Sequence, residues 1–298
     1  MANGGPSLVQ LGEEFIGVGE AAITGGPCRA ESVRRRERAI MAWADLRDTL
    51  LGWRLWFALG TNDIRQRYRR SKLGQFWITV SMAVFIVTIG SVYALLFRVD
   101  IREQLPHVVV FYSAWSFMSA CMNEGAGAFT EAERYLRQER LPKLTFVARV
   151  VWRNLLAYLH NLVLVPVTFL IFSIGIGLGA IAAVIGVVFM IVNVCLVVVI
   201  LSVLCTRFRD LRQVVSNVIQ IAFFISPIMW QPSVMPAAAR LLVEFNPVAA
   251  HLRLIGDPLL GQSFPYYLYL ICGGCTLVLF IVAAPLFVRF RERIVYWL

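Results

Sequence analysis

The chain has 298 residues, of which 59% are hydrophobic and only 15% charged, and its mean hydropathy is +0.71. Soluble domains are about a quarter charged and about half apolar, so a soluble enzyme, a disordered chain and a disulfide scaffold are excluded. The length suits an all-α bundle of about six membrane helices, each needing roughly 20 residues. The formal net charge of +10 reads as anchoring of cytosolic loops and not as a nucleic-acid surface.

Residues 1–42 are Gly-rich and loosely patterned, and they end near the basic cluster Arg34, Arg35, Arg36, Glu37, Arg38. No signal-peptide core follows, and a disordered cytosolic tail is expected. Residues 43–74 differ. Leu46, Leu50, Trp53, Phe57, Ile64 and Tyr68 recur at helical spacing, while Asp45, Arg47, Arg54, Asp63 and Arg65 occupy other positions. A helix with one aromatic face and one basic face lies in the membrane interface. Gly60 is expected to bend or split it.

A six-span domain over 75–298 is expected next, with apolar runs at about 75–97, 108–129, 147–172, 178–204, 213–230 and 266–288. The third and fourth form a tight hairpin around Gly175, Gly177 and Gly179. With the N-terminus in the cytosol, only Arg98, Arg102, Arg240 and Arg253 among the Lys and Arg fall outside. The positive-inside rule then puts both termini in the cytosol. Most of the six Cys lie in or beside apolar runs, and Cys272–Cys275 is a lone CxxC, so buried thiols are expected over a metal site.

The second-to-third connection is the most organised polar segment. Thr130 and Glu133 have capping-box spacing, Pro142 stops the helix, and Glu133 and Arg137 are an i,i+4 pair. Arg134, Arg137 and Arg140 lie toward its end, matching the helix dipole. Such a helix either presents a rigid surface to a partner or is an ordinary solvated connector. The fifth-to-sixth connection is too apolar for open water. Pro236 and Pro247 suit first helical positions and Asn246 an N-cap, so two short re-entrant helices are expected at 236–244 and 247–255.

Within the spans, Gln213, Asn217, Gln220 and Phe224 share one helical stripe, and Ser81, Phe85 and Thr88 form a milder one. Three amides on one stripe do not belong against lipid: they bond other helices or line a wet path. Glu124 is the one carboxylate deep in an apolar run, and a structural ion pair with Arg134 or the headgroup zone is expected. His160 and Asn161 are expected to hydrogen-bond between helices. The only Lys residues are Lys72 and Lys143, neither following Gly, so GxxxxGK[ST] is absent and ATP hydrolysis through that loop belongs to another chain.

These stretches resemble a family. Asp63–Trp77 (DIRQRYRRSKLGQFW), Glu131–Asn154, RFRDLRQ from Arg207, Ser226–Ser233 (SPIMWQPS), Phe245–Pro247 and Arg291–Leu298 are similar to ABC exporter permeases of the polysaccharide-export type, which move O-antigen, capsule or teichoic acid chains. The resemblance covers residues 45–298 and leaves out the tail. It implies a homodimer working with two copies of a separate ATPase that carries ATP and Mg, no cofactor on this chain, and a lipid-linked polysaccharide substrate in the cytoplasmic (inner) membrane. It further implies docking on the ATPase through Glu133, Arg134, Arg137 and Arg140. Spans one and five would line a channel, with Phe85, Phe224 and Trp230 as sugar-packing aromatics. Pro236, Asn246 and Pro247 would belong to a periplasmic gate. A membrane-embedded transferase acting on lipid-linked sugars is the alternative; it would need clustered His, Asp or Glu at one membrane face, and the sequence offers scattered singles.

Overall fold

The computed structural model describes residues 27–67, 69, 74, 76–139, 141–175, 177, 179–232, 243–262 and 265–298, with side chains from Val33 onward. Among them all regular structure is helical. The helices are α1 (Pro27–Leu51), α2 (Trp53–Arg67), α3 (Phe76–Phe97), α4 (Ile101–Gly125), α5 (Ala128–Glu131), α6 (Glu133–Gln138), α7 (Leu144–Asn161), α8 (Leu164–Ile171), α9 (Gly179–Arg207), α10 (Leu211–Ile225), α11 (Pro247–Leu259), α12 (Tyr267–Phe290) and α13 (Ile294–Trp297). Five stretches are long and apolar enough to cross a membrane: α3, α4, Leu144–Ile171, Gly179–Arg207 and Tyr267–Trp297. Six were expected. The sixth, α10, has only 15 residues, about 22 Å of helix against a hydrocarbon core of about 30 Å.

The reason lies in the residues that follow α10. Pro227 stops the helix, and Ser226–Trp230 continues as irregular backbone that is buried. Irregular backbone survives at membrane depth only where protein satisfies it. Span two supplies the partners: Gln104 Nε2 donates to the Met229 carbonyl at 2.7 Å, and His107 Nε2 lies 3.3 Å from the Pro227 carbonyl. For the same reason α4 begins at Ile101 and not near 108. Asp100 caps it, its side chain accepting from the Arg102 N–H at 2.9 Å, and after an exposed first turn Gln104 and His107 are buried against that loop.

Helix α4 is the centre of the bundle. It packs on α3, α7, α8, α9, α10 and α11, and 67% of its most apolar stretch is buried, against 17–28% in the other four spans. Those four keep apolar faces outward, where lipid replaces water. On α3 the inward face is Met82, Ile86, Gly90 and Ala94, every fourth residue, as one stripe of a helix requires.

Three expectations about the segments before α3 and between α4 and α7 change. Residues 27–42, assigned to the loose tail, are helical in α1. The break between α1 and α2 falls at Gly52, whereas Gly60 sits inside α2 facing the backbone of α7. A Cβ at Gly60 would lie 3.0 Å from the Arg149 carbonyl and from the Trp152 ring, so this glycine serves close approach and not a bend. The capping box is also absent: α6 has Ala132 at its N-cap with no side-chain bond, and the Thr130 hydroxyl donates back to the Gly127 carbonyl at 2.9 Å. Two short helices replace the single capped one.

Candidate functional site

Helices α3 and α10 both lean on α4, and aromatic rings join the three. Phe85 of α3 stacks on Tyr112 of α4, with centroids 4.7 Å apart and planes at 27°. Phe223 of α10 meets Tyr112 edge-on at 6.5 Å and Trp115 at 5.9 Å, and Phe224 meets Phe223 at 5.3 Å. The expected polar stripes lie along this face. Gln213, Asn217, Gln220 and Phe224 on α10, and Ser81, Phe85 and Thr88 on α3, are all exposed on the single chain. Gln213 donates to Asn217 Oδ1 at 3.3 Å, and the Ser216 hydroxyl donates to Asn123 Oδ1 of α4 at 2.9 Å. Two amides of the stripe, Gln213 and Asn217, thus bond each other along α10. Tyr112 and Phe223 escape a reading by single stripes, because each sits on a helix whose aromatic residues read as lipid-facing or core. Trp230 belongs elsewhere: it is buried with Val243 and Ala249.

The end of the bundle beyond α10 is built by α11. Asn246 Oδ1 accepts from the Val248 and Ala249 N–H groups at 2.9 and 3.4 Å, and Pro247 opens the helix. The same Asn246 donates through Nδ2 to the buried Ser226 hydroxyl at 3.0 Å, which ties the start of α11 to the end of α10. The helix runs to Leu259, past the expected 255, and is buried against α4, α9 and α12. Glycine permits this depth. A Cβ at Gly186 would stand 2.8 Å from the Leu254 carbonyl, one at Gly179 2.3 Å from the Pro258 carbonyl, and one at Gly256 2.1 Å from the Phe111 ring. Pro236 and most of the first expected re-entrant helix lie outside the described residues.

At the opposite end of α4, the helices α2, α4 and α7 meet through charge. Arg149 grips Asp63 with both Nε (2.7 Å) and Nη2 (2.6 Å). Arg153 donates from Nη1 to Asp63 at 3.3 Å and from Nη2 to Glu124 Oε2 at 2.8 Å. Asn154 adds a bond to the same Glu124 oxygen at 2.7 Å, and Arg67 reaches Oε1 at 3.1 Å. Glu124 is therefore in a structural ion pair, but with Arg153 and Arg67 and not with Arg134. Asp63, whose position on a basic helix face reads as solvated, is a half-buried partner of two arginines instead. Nearby, Asp45 of α1 receives Arg291 in a two-point pair at 2.7 and 2.8 Å, and Lys143 bonds the Arg291 carbonyl. Burial beside that guanidinium pulls the Lys143 amine below its ordinary value.

The proposed docking segment follows Glu131, which lies 3.9 Å from Arg153. Glu133 and Arg137 form their i,i+4 pair at 3.0 Å, Arg134 is exposed, and Leu136 is buried as its anchor. Arg140 lies outside the described residues. His160 Nδ1 lies 2.7 Å from the carbonyl of Leu156 in its own helix, while its backbone carbonyl accepts from Thr79 of α3. Asn161 Oδ1 is buried without a partner. Among the described residues, no three His, Cys, Asp or Glu converge on a place for a metal ion.

A family model described as ABC-2 type transporter matches residues 54–255. The O-antigen export system permease protein RfbA of Myxococcus xanthus is 25% identical over 202 residues, which is 66% of this chain and 76% of that protein. Two proteins of the same name from Klebsiella pneumoniae are 22% identical over 246 residues (78% of this chain, 90% of the relative) and 23% identical over 247 (77% and 91%). The matched region runs from α2 into α11, and so contains the charge cluster, the aromatic face and the buried loop after α10.

Proposed function

The chain belongs to the ABC-2 type transporter family, and from that premise we propose that it is the membrane subunit of an ATP-driven exporter of lipid-linked envelope polysaccharide, of the O-antigen or capsule kind. It is a multi-pass transport permease, and permeases of this family pair with nucleotide-binding ATPase subunits. In the proposed assembly two copies of this chain work with two ATPase copies in the cytoplasmic membrane, with both termini in the cytosol. ATP and Mg are held by the ATPase alone.

The observation that carries the reading is the aromatic face of Phe85, Tyr112, Phe223 and Phe224, bordered by the amides of α10. The amides are costly against hydrocarbon. Opposed to a second copy they would border a wet path whose rings pack against sugar C–H faces, while the amides exchange hydrogen bonds with hydroxyls. A path of this kind slides a polymer without binding any one unit tightly. The relatives are named for O-antigen export, which supports a glycan over other cargo.

In this mechanism the ATPase dimer closes on the segment around Glu133, Arg134, Arg137 and Arg140. The segment is anchored by Leu136, and Glu131 at its start lies 3.9 Å from Arg153. The Asp63–Arg149–Arg153–Glu124 cluster joins α2, α4 and α7 so that a push there moves them as one body. The Ser226–Asn246 bond links α10 to the outer segment. Deleting the gene in the source bacterium and measuring surface polysaccharide tests the reading. Export should fail with lipid-linked glycan retained inside, and the tagged chain should bring down a Walker-motif ATPase. Normal surface glycan in the deletion strain would reject it.

A further inference from the structure

A cavity of ≈ 340 Å³ opens beneath the outer end of the bundle, lined by His107, Phe111, Gln231, Pro232, Arg253, Asp257 and Gln262. None of these residues belongs to the aromatic face described above. They come from three separate parts of the chain: α4, the segment after α10, and α11 with its following turn. The size is at the small end of the range for small-molecule pockets, about 300–1,000 Å³. It admits a short saccharide and not a polymer or an acyl chain.

The walls are rigid. The His107 ring stacks on Phe111 with centroids 4.1 Å apart. His107 is held by the Pro227 carbonyl and is 3% exposed. Phe111 is pressed against Gly256, where any side chain would collide with its ring. Arg253 Nε donates to Asp257 Oδ2 at 3.0 Å across one turn of α11, and Asp257 is 5% exposed. That pair uses a single guanidinium donor and a single carboxylate oxygen, and a further bond joins Arg253 to the Tyr267 side chain. The Gln262 N–H donates to the Asp257 carbonyl at 2.8 Å, holding the turn that closes the pocket.

Charge and chemistry narrow the occupant. The guanidinium and carboxylate cancel, so neither an anion nor a cation is favoured. The polar lining opposes a lipid tail, because an apolar occupant would leave buried donors and acceptors unmet. What remains is a neutral ring carrying many hydroxyls. Carboxylate, guanidinium and amide groups take vicinal hydroxyls in pairs, and the edge of a fixed aromatic ring receives C–H groups. We propose that this cavity is a binding site for a neutral saccharide unit, separate from the transport face. The inference rests on the export reading only for the source of the sugar, a glycan unit arriving at the outer mouth.

The test is saturation-transfer difference NMR on the full-length chain in phosphatidylethanolamine/phosphatidylglycerol nanodiscs, with maltose and N-acetylglucosamine as probes. Transfer to at least one probe is expected. It should weaken roughly tenfold in Asp257→Asn, as when a hydrogen bond to a charged group is lost, and fall in Gln262→Ala, an exposed position whose side chain is not needed for folding. Should Asp257→Asn not insert, Gln262→Ala decides alone. Transfer should persist in Asn217→Leu, on the transport face, and in excess inorganic phosphate. No transfer in the unaltered chain, equal transfer in Gln262→Ala, loss in Asn217→Leu instead, or displacement by phosphate would each overturn the proposal. None of these outcomes touches the export reading, which stands or falls on surface glycan in the deletion strain.

Discussion

Arg153 offers the sharpest test of how α2, α4 and α7 are held together. It is 10% exposed at its side chain and donates to carboxylates on two other helices, Asp63 at 3.3 Å and Glu124 at 2.8 Å. Replacing it by Met keeps the volume and removes the charge. Asp63 retains its two-point grip on Arg149, and Glu124 retains Arg67 and Asn154, so neither carboxylate is left bare. The cost should therefore sit at the lower end of that for breaking a buried pair, about 3 kcal/mol. In a chain of this size that corresponds to a melting temperature lower by roughly 5 °C. Glu124→Leu should cost a similar amount, because it strands Arg153 on a carboxylate it already shares. The double variant Arg153→Met/Glu124→Leu should cost about 4 kcal/mol, less than the sum of the two singles, since both remove the same ion pair. The assay is intrinsic-fluorescence melting of the nanodisc-embedded chain for all four proteins. Coupling of about 2 kcal/mol between the two sites is expected. Additivity within about 0.5 kcal/mol, or Arg153→Met melting with the unaltered chain, would refute the view that this cluster holds α2, α4 and α7 together.

Three further outcomes are expected. Asn217→Trp and Gln220→Trp should block export while the complex still assembles, and Asn217→Leu should be milder; surface glycan measured alongside complex recovery checks this, and normal export in either Trp variant would remove α10 from the path. Arg134→Glu with Arg137→Glu should leave the chain inserted but reduce stimulation of the ATPase and glycan export together; unchanged ATPase stimulation and export would discard the docking role. Burial lowers the His251 pKa from its ordinary 6.5, and the hydrogen-bond contact with the Pro247 carbonyl only partly offsets this. The folded state thus prefers the neutral ring, its contribution is complete above about pH 6.5, and it is lost as pH falls from there toward the lowered value. His251→Gln should shrink the drop in melting temperature between pH 7.5 and 5.5, and an unchanged drop would contradict it.

Hydropathy alone determined that the chain is a helical membrane protein, because a run of apolar residues long enough to span needs no knowledge of its neighbours. It also located the hairpin near Gly175, the cap at Asn246 with Pro247 after it, the Glu133–Arg137 pair, and the exposed stripe of Gln213, Asn217, Gln220 and Phe224. These are local features, set by spacing of three or four residues along one helix. Tertiary structure decided everything that depends on what lies opposite. The buried polar start of α4 reads as a loop until Gln104 and His107 are seen holding the carbonyls after α10, and the fifth span reads as full length until that loop is seen to be sheltered by protein. Asp63 reads as solvated until Arg149 and Arg153 arrive from a helix some 90 residues away. Gly60 reads as a breaker until a backbone carbonyl and a ring are found where its Cβ would stand. The link from Phe85 through Tyr112 and Phe223 to Phe224 has no signature along the chain at all, since it exists only because α3 and α10 lean on the same helix.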